Sequence, residues 1–459
     1  MSSRVMSWGL LLAVASAPLW SACGGGGGGG DGAPAASASQ CSGAACGTQG
    51  APTSAPTASL CPTAAAISSN TYLGGAGSGE IVSLRIDATA MTYTIKWLES
   101  PIPLQAGTVM PTRAGITITG AVQHTTNLPT AEQNRCAFIL EPGTGTTSGG
   151  SSYSTSATFN SSNPPTIFIG EGGVAGGGIP GAEVQFSGVA GLFAVPDRKF
   201  DFYPFIGFAQ VDTRLADLQG TYNALLYHQQ PSDNYAAVGT NDTETFDASG
   251  NCTSTSGNCK TTGSAWTASS SGNYFTSSNP PAIVGGTTLG SGAHANMVLG
   301  QFNGSIVPIV VRTGYANSNL LSLAVDDESG IAMLAAASPI ASGAIDGGYA
   351  GADSNFKYTA TIIQGASGKF VDPPTNTIES RFTLTYPSSN HGLLSVQDDQ
   401  GNSGYAIATG FSPTSTIGGL YAILLQGTEN GGITPSSAIV GQTTSSAPYF
   451  GIGAFAGPR

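Results

Sequence analysis

Charge is scarce in this chain. Only 9% of its residues are charged, against about a quarter in a typical soluble domain. The shortage falls on the basic side, with 14 Lys and Arg against 26 Asp and Glu and a net charge of −12, so nucleic acid is excluded as a natural partner. Histidine is rarer still: His124, His228, His294 and His391 lie far apart, none at metal-ligand spacing, and no metal or cofactor is expected. No apolar run reaches the about 20 residues that a membrane-spanning helix needs. The nucleophile-elbow motif Gly-x-Ser-x-Gly does not occur; its nearest relative, Gly365-Ala-Ser-Gly-Lys369, reads as a polar turn. Two loose Gly-x-Gly-x-x-Ala matches, at residues 170–175 and 451–456, are expected by chance in a chain with 66 glycines. The first runs on into Gly176-Gly-Gly-Ile-Pro180 where a nucleotide site needs a helix. No catalytic residue can therefore be named. A glycosidase would need two of the 26 acids facing one cleft, a choice the sequence does not make.

What is present begins with an export signal. Residues 1–22 carry one cation, Arg4, then a short apolar run over 9–17 and small residues, the layout of a signal peptide. Trp20-Ser-Ala-Cys23 resembles a lipobox, with Trp20 where leucine is usual, and makes Cys23 the candidate for acylation by chains such as palmitate. A competing cut after Ala15-Ser-Ala17 would give a plain secreted or periplasmic protein starting at Pro18. Gly24 after the lipidated cysteine fits sorting to the outer membrane. The membrane is thus an expected partner through the lipid.

Six of the seven cysteines then remain, an even number suited to disulfides in an oxidising compartment. Cys252 and Cys259 bracket a turn-rich segment and form the first candidate pair. Cys41 and Cys46 lie in a linker too remote from any histidine to suggest zinc.

Composition divides the chain. Residues 23–66 form a Gly, Ala, Ser and Pro-rich stretch that buries too little to order itself and reads as a disordered tether. Beyond it, runs such as 80–86, 91–97, 115–119 and 382–386 alternate apolar and polar residues rich in Thr, Tyr, Ile and Val, the signature of half-buried antiparallel strands. Helical periodicity is weak everywhere; residues 212–227 hold at most one short helix before a strand. Aromatic residues at 97, 266, 274 and 275 could stack on sugars but read better as core.

Internal repetition supports a modular all-β fold. Phe159-Asn-Ser-Ser-Asn163, Phe275-Thr-Ser-Ser-Asn279 and Tyr386-Pro-Ser-Ser-Asn390 recur roughly every 110 residues, each read as strand, turn, strand. Residues 320–332 and 393–406 match as hairpins with acidic turns, at Asp326-Asp-Glu328 and Asp398-Asp399. Such turns could offer oxygens to calcium, but a hairpin selects the same residues. Gly-x-Tyr at 220, 347 and 419 marks strand starts. The expected modules are 67–215, 216–345 and 346–459, as tandem barrels or sandwiches, with a propeller or one large β body as the alternative.

The Ser-Ala-Cys23-polyglycine start, the Cys/Gly/Ser-rich tether, Gly220-Thr-Tyr-Asn-Ala-Leu225 and Ser249-Gly-Asn-Cys252 together resemble an uncharacterised family of proposed bacterial lipoproteins. The resemblance implies no activity. Three functions stay open: a non-catalytic binding or structural lipoprotein of the envelope with a carbohydrate or protein ligand, a hydrolase acting on polysaccharide, or a lipid-anchored outer-membrane β-barrel. The final Gly457-Pro-Arg459 lacks the terminal aromatic usual in the last of these.

Overall fold

Alternating residues become strands, and the strands close on themselves. The computed structural model describes residues 59–147, 149–189, 193–254, 266–278, 280, 292–387, 391–411, 418–426 and 448–457. The runs Ile81–Asp87 and Thr92–Glu99 pair antiparallel, with Leu84 opposite Ile95. From there the order runs through Tyr72–Ala76, Phe202–Phe208, Val174–Pro180, Thr166–Gly170, Ala137–Leu140 and Thr117–His124. Thr117–His124 pairs back onto Thr92–Glu99, which closes an eight-stranded ring. Tyr72, Leu84, Tyr93, Ile95, Trp97, Phe138 and Tyr203 fill this first barrel. Closure removes the unpaired edges that an open sheet would expose.

A long hairpin, Gly220–Gln230 with Ala236–Phe246, begins an open sheet. It continues through Ser329–Ala336, Ser305–Thr313 and His294–Phe302. Both faces are apolar. Leu225, Val298, Ile309, Ile331 and Met333 belong to one core, and Tyr222, Leu226, Met297, Leu299 and Leu334 to another.

The last sheet, from Gly347–Asp353 to Tyr449–Gly457, is a second closed barrel of eight strands. Its strand Leu420–Gln426 shows how the parts join. Tyr421, Ile423 and Leu425 point into the barrel, whereas Leu420, Ala422 and Leu424 point outward into the core that the open sheet and the first barrel share. Along Thr377–Thr385, Glu379, Arg381, Thr383 and Thr385 are exposed, together with Ile378. A lipid-facing barrel needs an apolar outer band, and this strand does not contribute one. No helix among the described residues is long and apolar enough to cross a membrane.

Several expectations need correcting. Residues 59–66, read as the end of a tether, belong to the folded body. Cys61 is fully buried and disulfide-bonded to Cys136, and Thr63 caps a helix, Ala64–Ser69, that buries Ile67. A covalent link and one buried side chain anchor a stretch whose composition alone suggests none. The repeated aromatic-Ser-Ser-Asn units are not equivalent in structure. Phe159 lies in a loop where Asn160 and Asn163 donate to Asp201, whereas Phe275 opens the strand Phe275–Ser278; residues 388–390 lie outside the described residues. The two acidic segments also part ways. Residues 394–409 form the expected hairpin, its turn held by Asp398 Oδ1 accepting from the amides of Gln400 and Asn402, but residues 324–336 do not pair with each other. Cys23 and Cys259 lie outside the described residues, so neither lipidation nor the Cys252–Cys259 pairing is tested.

The Cys61–Cys136 bond spans 75 residues. Cys136→Ser should lower the unfolding free energy by about 2–4 kcal/mol through the freed entropy of the denatured chain, read as an earlier midpoint in urea.

Candidate functional site

The turn between the first two strands of the first barrel wedges against the open sheet. Gly79 adopts φ +84°, and a Cβ there would lie 2.2 Å from the Arg312 carbonyl oxygen, so only glycine allows this approach. Thr313 Oγ1 donates to Gly79 O at 2.5 Å. A buried charge network stands on each side of the contact.

Inside the barrel, Arg113 Nε donates to Glu80 Oε1 at 2.6 Å and Nη2 to Oε2 at 2.5 Å, both side chains fully buried. Ser78 and Ser100 donate to the same carboxylate, and Arg113 lies 4.4 Å from the Trp97 ring centroid. Burial disfavours the guanidinium charge, but the Glu80 carboxylate outweighs it and holds Arg113 above its ordinary value. Across the turn, Arg312 Nη2 donates to Asp326 Oδ2 at 2.6 Å and Nε lies 3.3 Å from Glu328 Oε1. His228 Nδ1 lies 3.2 Å from that same oxygen. Two of the three acids expected on a hairpin turn are thus buried ion-pair partners. The third, Asp327, accepts from the amide and hydroxyl of Ser232, and burial raises its pKa.

Between these networks opens a cleft with a cavity volume of about 90 Å³. The first barrel contributes Ile102, Phe200 and Tyr203, the paired strands Glu183–Phe186 and Val195–Lys199 contribute Val184, Phe186 and Val195, and the open sheet side contributes Tyr235, Leu323 and Asp327. Tyr235 Oη donates to Pro196 O at 3.1 Å and fixes one wall to another. Of the four large apolar side chains most exposed among the described residues, three are Met110, Leu320 and Leu321. Each is one to three residues from a residue lining the cleft. A hollow lined largely by apolar side chains with a few polar groups is the usual form of a binding site.

Other candidates do not assemble into chemistry. Residues 170–175 form a hairpin turn, with Gly172 and Gly173 at φ +82° and +78° between Thr166–Gly170 and Val174–Pro180, not a strand-to-helix phosphate loop. Gly365 sits at φ +57° in a hairpin turn, as read from the sequence. Cys61, Glu132 and Cys136 lie close enough to hold a metal, but the two sulfurs are bonded to each other. Cys252 is buried in the open sheet. Asp242 and Glu244 share one buried face of Ala236–Phe246, yet neither lines the cleft or the smaller cavity found among the described residues. That smaller cavity, about 20 Å³, lies where both barrels meet the open sheet and is bordered by Asp353.

A family model covers residues 92–454. The chain belongs to the family described as protein of unknown function DUF2957. No curated protein matches it. A crystal structure of a double mutant of the vaccine antigen Transferrin Binding Protein B from Haemophilus parasuis Hp5 aligns over 82% of this chain and 65% of that one, less than two thirds of its length. The two share 10% identity with a TM-score of 0.21, at which the likeness supports no inference of function.

Burial, with Asp242 second, raises the Glu244 carboxyl to about 8, and burial raises Asp353 to about 7. A carboxyl whose folded-state pKa lies above its unfolded value holds its proton more tightly when folded. The stability it contributes is full below the unfolded values of 4.5 and 3.8 and is lost as pH rises through about 8 and 7. The thermal midpoint should therefore fall between pH 5 and pH 8, and Glu244→Gln should flatten the upper part of that decline in a calorimetric pH series.

Proposed function

We propose that this protein is a non-catalytic binding protein of the cell envelope, tethered to the outer membrane by a lipid on Cys23, whose binding site is the cleft between the first barrel and the open sheet. The observation that carries this reading is the cleft itself: aromatic and aliphatic walls from separate elements, interspersed with uncharged polar side chains such as Gln185, Gln229 and Asn317, and exposed Met110, Leu320 and Leu321 a few positions along the chain from lining residues. Exposed apolar side chains cost solubility, and a ligand that covered them would offset that cost. The charged groups nearby are already engaged. Arg113, Arg312, Glu80 and Asp326 are buried in ion pairs, which favours a rigid frame over proton transfer.

The polysaccharide hydrolase is the weaker reading. Retaining or inverting chemistry requires two carboxyls across a cleft, and the lining of this one contains a single acid, Asp327. The export signal and acylated cysteine rest on residues 1–23 alone.

Two experiments test the two halves. A neutral apolar fluorophore, N-phenyl-1-naphthylamine, should bind the purified protein, and Phe186→Ser in the cleft wall should weaken it at least tenfold; binding that Phe186→Ser leaves unchanged would remove the cleft from consideration. Intact-mass analysis of the native protein should show a chain starting at Cys23 with added acyl mass, lost in Cys23→Ser. A bare chain starting at Pro18 would overturn the anchor.

A further inference from the structure

We propose that the cleft selects an amphiphilic amine: an apolar body in the hollow and an ammonium, or another strongly donating nitrogen, against Asp327. This rests on the cleft being the binding site. Among the described residues that line it, Asp327 alone carries a charge, and no Lys, Arg or His faces the hollow. The nearby cations Arg198 and Arg312 are not among its lining residues. Arg198 lies 4.9 Å from the ring centroids of Phe200 and Tyr235, and Arg312 is paired with Asp326.

Asp327 is also held in place. Ser232 N donates to its Oδ2 and Ser232 Oγ to its Oδ1 at 2.9 Å, so one local residue orients both oxygens. Each carboxylate oxygen has a second lone pair. A bound anion would face this carboxylate across the hollow, whereas an ammonium would bring a further donor and the opposite charge. The cavity volume, about 90 Å³, suits a short alkyl chain or one ring. A longer body would extend onto Met110, Leu320 and Leu321.

The test compares two competitors of equal chain length. Purified protein carrying bound N-phenyl-1-naphthylamine is titrated at pH 7 with decylammonium or decanoate, both below their micellar concentrations. Decylammonium should displace the fluorophore at a concentration at least tenfold lower than decanoate. In Asp327→Asn that difference should shrink to less than threefold; a preference that survives the substitution would assign it to the overall negative charge and overturn the proposal. Equal displacement in the native protein also overturns it, without needing any variant to fold, and leaves the cleft as a site for neutral ligands. Failure of the fluorophore to bind the native protein would instead overturn the reading of the cleft.

Discussion

Everything in this fold depends on one shared core. A closed barrel with a filled interior ordinarily has a polar outside, and two such barrels have no reason to associate. Here each turns one stretch of wall apolar on both faces. Leu73, Ile206 and Phe208 leave the first barrel, Leu420, Ala422 and Leu424 leave the second, and all meet Val298, Ile309, Ile331 and Met333 of the open sheet. Tyr227 stacks on Phe450 with ring centroids 6.1 Å apart, joining the open sheet to the second barrel. The contact is close enough to constrain backbone composition: a Cβ at Gly75 would lie 2.6 Å from Val311 Cγ1, and one at Gly239 would lie 2.7 Å from Leu424 Cδ1. At interior packing densities such positions have no slack.

That core also accounts for the open sheet. Among the described residues its strands do not close into a ring, and a sheet apolar on both faces would be insoluble alone. One face is covered by the walls of the two barrels. The buried ions follow from the same crowding. Where the turn at Gly79 meets the sheet, Glu80 and Arg312 are taken out of water, and each is compensated by a partner of opposite sign at 2.5–2.6 Å. Removing either partner alone would leave an uncompensated charge, a cost of about 3–5 kcal/mol.

The sequence makes some of this legible and hides the rest for a definite reason. Strands with one wet face announce themselves, as Ile81–Asp87 and Thr92–Glu99 do by alternation. Leu420–Gln426 does not alternate, because both of its faces are buried. A run of that kind identifies neither its period nor its neighbours. The acidic stretch at 326–328 has a trace elsewhere in the sequence. Arg312 ends the apolar run of Ser305–Thr313, and a cation in a strand otherwise bound for the interior requires acids somewhere in the chain. The helix at Ala64–Ser69 is hidden differently, since its stability comes from Ile67 and the neighbouring crosslink rather than from composition.

The cleft was the least legible feature, and geometry explains why. A convex barrel wall and the end of a twisted sheet cannot match over their whole length, so packing that is tight at Gly75 opens toward the sheet's periphery. The gap is bordered by loops and short paired strands from distant parts of the chain, including Pro103, Phe193, Tyr235 and Leu323. The one local trace is the Leu320-Leu321 pair within an otherwise polar stretch, where exposed apolar area has no folding purpose. That apolar pair and the carboxylate of Asp327, the single charged side chain among the described residues lining the cleft, are features that folding alone does not call for.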